Sequence, residues 1–74
     1  MDTDKKNLTS EVEAVLDKIR QKRIEKGFSI LKLANAADIS HSHLYYIETK
    51  QKIPTLETLN RIAKALSLEL KDFF

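Results

Sequence analysis

The 74-residue chain has no cysteine, so it can form neither a disulfide framework nor a thiolate metal site. It has one glycine and one proline. That is too few turn formers for a fold rich in strands and tight reversals, and an all-α class is expected. No apolar run approaches the roughly 18 residues of a membrane span, and no signal-peptide core is visible. A cytoplasmic setting without a membrane partner is therefore expected. Neither sign of charge dominates. The net charge of +2 permits nucleic-acid binding without arguing strongly for it. No nucleophile–base constellation, glycine-rich phosphate loop or metal-ligand cluster can be read in the sequence. An enzyme, a cofactor and a small-molecule substrate are not expected.

What is present centres on Phe28 to Glu48. Ser29 and Ser40 each stand where a helix N-cap belongs, because a serine hydroxyl can satisfy an orphan backbone N–H of the first turn. Phe28 precedes the first cap with Leu33 five residues on, and Ile39 and Leu44 repeat that spacing. Both pairs fit the hydrophobic staple that fixes how a chain enters a helix. Ala37-Asp38-Ile39 leaves room for a turn of about three or four residues between two short helices, as in a helix-turn-helix. Helices this short do not persist alone in water, so the rest of the chain must hold them.

Residues 1–9 read as a flexible leader and residues 10–74 as the domain. Ser10-x-x-Glu13 reads as a capping box. Val12, Val15, Leu16 and Ile19 then mark one face of a helix that runs to about Lys26, with Gly27 ending it. Leu33, Ala34 and Ala37 form the inner face of the second helix, and Leu44 and Ile47 that of the third. Ser42, Tyr45, Tyr46 and Thr49 fall on the outward face of the third helix. Residues 49–53 read as a loop. Thr55 caps a fourth helix with the stripe Leu56, Leu59, Ile62, Ala63 and Leu66, and Ser67 is at its stop. Leu68, Leu70, Phe73 and Phe74 suggest a final turn or short helix. The expectation is a compact five-helix bundle without strands.

Several segments, in order and with matching gaps, resemble the lambda-repressor-like helix-turn-helix family of the Xre/Cro type. They are I-R-x-x-R at Ile19–Arg23, K-G-F-S at Lys26–Ser29, Leu33 and Ala34 with the nearby Ala37, I-S-x-S-x-L-x-x-I-E at Ile39–Glu48, I-P-T-L-E-T-L at Ile53–Leu59, and I-A-K-A-L at Ile62–Leu66. The resemblance spans about Val12 to Phe74. It implies that the third helix enters the major groove of double-stranded DNA. By position, His41, Ser42, Tyr45 and Tyr46 would read bases or adjacent backbone. Ser29 and the first amides of helix two would meet a phosphate. Thr49, Lys50 and Lys52 would grip the backbone, and Arg23 and Glu48 would form a structural ion pair, partly buried. A homodimer on a palindromic site is the implied assembly.

Three positions depart from the family pattern. Ile30 replaces the usual glutamine at the start of helix two, Asp38 replaces the turn glycine, and no Arg, Lys, Gln or Asn precedes Glu48 on the third helix. Weak, pH-sensitive or partner-dependent DNA affinity is the corresponding expectation. Imidazole generally titrates near neutrality, so His41 and His43 invite a pH-tuned contact. Two residues apart on a helix, they point away from one another, and no metal site is expected. The alternative reading is the same fold used as a protein-interaction module, antitoxin-like or coactivator-like, with the tyrosine face meeting protein.

Overall fold

The computed structural model describes residues 3–4 and 8–74, and only the backbone of the first pair. Its order is β1 (Thr3–Asp4), α1 (Ser10–Glu25), α2 (Ile30–Ala37), α3 (His41–Glu48), β2 (Lys52–Ile53), α4 (Leu56–Ala65) and a 3-10 turn at Leu70–Phe73. The all-α helix-turn-helix class holds, with four α-helices instead of five among the described residues. The expected fifth helix is that single 3-10 turn, closed by a reciprocal cap between Glu69 and Asp72. The strandless expectation is also corrected. β1 pairs antiparallel with β2, Thr3 opposite Ile53 and Asp4 opposite Lys52. The leader expected over residues 1–9 lies mostly outside the described residues. Of its remainder, Leu8 is half-buried against the core.

Side-chain caps start each helix. Thr9 is the cap of α1, accepting from the Val12 N–H at 3.2 Å, and Ser10 is already helical. The expected Ser10–Glu13 capping box does not form: Thr9 is the residue with extended backbone, and the third helical position from it is Val12, which has no side-chain acceptor to return the bond. Ser29, Ser40 and Thr55 accept from Lys32, His43 and Thr58 at 3.0, 3.0 and 3.1 Å.

All four helices leave through a left-handed residue: Gly27, Asp38, Lys50 and Ser67, with φ of 73, 59, 66 and 60°. In every case the next residue's N–H reaches back five residues to a carbonyl of the last turn: Phe28 to Arg23, Ile39 to Ala34, Gln51 to Tyr46 and Leu68 to Ala63. This is the Schellman exit, and glycine occupies only one of the four positions that favour it.

The core comprises Leu16 and Ile19 of α1, Leu33, Ala34 and Ala37 of α2, Leu44 and Ile47 of α3, Leu59, Ile62 and Ala63 of α4, then Leu66 and Phe73. Each fully buried Leu, Ile or Phe contributes roughly 1.5–3 kcal/mol. α2 packs most extensively on α4 and on α3, and the 3-10 turn packs on α4 and α1. Leu56 departs from its expected stripe and is exposed, because it opens α4 ahead of the first buried position, Leu59. No helix among the described residues is long and apolar enough to cross a membrane.

Candidate nucleic-acid interface

α3 is fixed from behind and bare in front. Leu44 and Ile47 are sealed in the core, and Glu48 is also buried. The Glu48 carboxylate takes two hydrogen bonds from Arg23 of α1, Nε to Oε2 at 2.7 Å and Nη2 to Oε1 at 2.9 Å. Arg23 Nη1 donates to the Phe28 carbonyl at 2.8 Å, which ties in the α1–α2 corner. The two side chains are 11% and 3% exposed. A paired, doubly bonded charge is tolerable at that depth where a lone one is not.

The front of α3 carries His41, Ser42, Tyr45 and Tyr46, all exposed, with Thr49 following at the C-cap. The two tyrosine rings meet edge to face, centroids 5.8 Å apart and planes at 66°. The Thr49 hydroxyl donates to the Tyr45 carbonyl at 2.8 Å and accepts from Gln51 Nε2 at 2.9 Å. Ser29 is exposed at the start of α2, and the ammonium of Lys32, in the first turn, lies 4.5 Å from the Phe28 ring centroid.

The two lysines of the following segment differ. Lys52 is exposed. Lys50 turns back to α1, its Nζ 3.0 Å from Asp17 Oδ1 and 3.8 Å from Glu13 Oε1. The hydrogen bond to Asp17, aided by the charges of Asp17 and Glu13, raises its pKa above the ordinary lysine value. In this position a phosphate would have to compete with two carboxylates for the ammonium. The sequence hid that arrangement, since Asp17 and Lys50 lie far apart along the chain.

Beside α3 an open groove of about 600 Å³ runs to the start of α4, lined by Ser42, His43, Tyr46, Lys52, Thr58 and Arg61 among others. Arg61 escaped the sequence reading. Its Nη2 lies 3.0 Å from Glu57 Oε2, a pairing visible in the i, i+4 spacing. Its Nη1 also reaches the Asp38 carbonyl at 3.4 Å, which only the packing of α2 on α4 reveals. Among the described residues, no three His, Asp or Glu side chains converge to hold a metal ion.

The family model described as helix-turn-helix (HTH_3) matches residues 19–73. Among curated proteins no sequence match is found. Three solved structures are similar. The restriction-modification controller protein C.AhdI from Aeromonas hydrophila is 26% identical, with 86% of this chain and 96% of that chain covered and a TM-score of 0.80. The clp gene regulator ClgR from Corynebacterium glutamicum is 28% identical, with 88% and 69% covered and a TM-score of 0.81. SinR, a master regulator for biofilm formation solved in complex with DNA, is 30% identical, with 80% and 95% covered and a TM-score of 0.73. With the family model covering most of the chain and a fold shared with these regulators, the chain belongs to the helix-turn-helix family of the lambda-repressor-like, Xre/Cro type.

Proposed function

We propose that this chain is a cytoplasmic DNA-binding transcriptional regulator that reads the major groove with α3. The observation carrying this reading is the two-sided character of α3. Its back is locked by the core and the Arg23–Glu48 pair, while His41, Ser42, Tyr45 and Tyr46 stand in solvent at its N-terminal half. A recognition helix needs that combination, because base edges are read by side chains projected from a rigid rod. SinR, solved with DNA, supports the same reading. Lys52 and the capped N-terminus of α2 at Ser29 would hold phosphates, and Lys32 adds charge there. The Thr49 hydroxyl and N–H both donate to the Tyr45 carbonyl, so Thr49 would hold the DNA backbone only by giving up one of those bonds. Lys50 would join them only by leaving Asp17.

The assembly we propose is a homodimer on a palindromic site, its two copies of α3 about one helical turn, ~34 Å, apart. Regulation would follow from occupancy of a promoter, with no chemistry. The test is selection of duplexes from a random pool by the full chain, followed by titration of the enriched sequence at two salt concentrations and sedimentation of the complex. An enriched near-palindrome bound by two chains, with affinity falling steeply as salt rises, is the expected result. No enriched sequence would overturn the assignment.

A second reading is supported by the exposed tyrosine pair and by the absence of Arg, Lys, Gln and Asn from α3. In it the same face docks on a protein. Binding that is unaffected by salt and by duplex sequence would favour this reading.

A further inference from the structure

The front of α3 has an uncommon chemistry for a helix that reads bases. His41, Ser42, Tyr45, Tyr46 and Thr49 span about 140° of arc at ~100° per residue. None of them is Arg, Lys, Asn or Gln, the residues that grip guanine or adenine with two hydrogen bonds. The Thr49 hydroxyl is already committed within the chain. His41 and Ser42, in the first turn, are the small polar readers.

The larger part of the surface is aromatic. Tyr45 and Tyr46 are 45% and 39% exposed. Their rings brace each other edge to face, so each has less rotamer freedom to lose on contact. In the major groove, thymine alone among the four bases displays an apolar group, its C5-methyl. A braced pair of rings complements that group and discriminates poorly among the remaining hydrogen-bonding edges.

We infer that Tyr45 and Tyr46 select thymine by covering its C5-methyl group in the major groove. The inference rests on the DNA-binding reading above, and the experiment separates the two. Duplexes are first enriched from a random pool. Each thymine of the winner is then replaced singly by deoxyuridine, which keeps every hydrogen-bonding group and removes only the methyl. One or more positions should weaken about four-fold, the worth of one buried methyl. That sensitivity should vanish in Tyr45→Ala or Tyr46→Ala, whichever covers the position, and persist in the corresponding Tyr→Phe variant, which keeps the ring. Equal binding at every deoxyuridine position would overturn methyl recognition and leave the DNA reading intact. A pool that enriches nothing would overturn the DNA reading itself.

Discussion

Arg23 and Glu48, twenty-five residues apart, are joined by two parallel hydrogen bonds of 2.7 and 2.9 Å at the point where α1 meets the end of α3. The third bond, from Arg23 to the Phe28 carbonyl, makes the guanidinium a junction for three segments. The pair fixes the C-terminal end of α3, while the staple residue Ile39 and the Ser40 cap fix its start.

Arg23→Met leaves the Glu48 carboxylate buried alone. A loss of about 3–5 kcal/mol is expected, because an uncompensated charge costs more than the intact pair contributes. For a chain of this size that lowers the thermal midpoint by roughly 20–30 °C. Arg23→Met with Glu48→Leu should recover much of the loss. Melting followed by circular dichroism checks both, and equal midpoints for the single and double variants would refute the argument.

Lys50 gives the fold a dependence on alkaline pH. Asp17 holds its pKa above the ordinary lysine value, so the folded state binds that proton more tightly than the unfolded chain does. The contribution is complete below the unfolded lysine value, about 10.4, and is lost as pH rises through the higher folded value. Wild type and Lys50→Met should therefore differ in stability at about pH 9 and converge as pH rises past the folded-state value of Lys50. Urea midpoints across that range measure it.

The same geometry separates the two lysines in DNA binding. Lys52→Gln should weaken every duplex alike and lower the slope of log affinity against log salt by about 0.9, as expected for one lost phosphate contact. Lys50→Gln should leave that slope nearly unchanged, since its ammonium already faces Asp17 and Glu13. Anisotropy titrations over a range of salt distinguish them.

Gly27→Ala tests backbone conformation without packing. A Cβ at this position would meet nothing within 4 Å, yet φ is 73°. A loss of roughly 1–2 kcal/mol is expected, the cost of holding an L-residue left-handed. Denaturant unfolding should show it as a lower midpoint with an unchanged slope.

The sequence made legible those features that depend on neighbours within a turn or two. Ser29, Ser40 and Thr55 were readable as caps because a hydroxyl before an apolar periodic run has a local partner. Leu44 and Ile47 inward, with Tyr45 and Tyr46 outward, needed only the helical step. Where two adjacent hydroxyls competed, as at Thr9 and Ser10, the boundary slipped by one. Long-range placements were hidden. The strand pair between residues 3–4 and 52–53 has too few residues to leave an alternating pattern. Lys50 turning to Asp17, and Arg61 reaching Asp38, depend on how separate helices cross. The burial of Phe73 beside an exposed Phe74 could be divided into one of each, but no local rule chose between the rings.

The four left-handed helix exits also say where this molecule has room for improvement. At Ser67 a side chain endures a backbone twist that glycine accepts freely, and the residue is exposed and belongs to no groove described above. Hardening the protein against heat can therefore begin at that corner, by relieving the twist, without altering the face α3 turns outward.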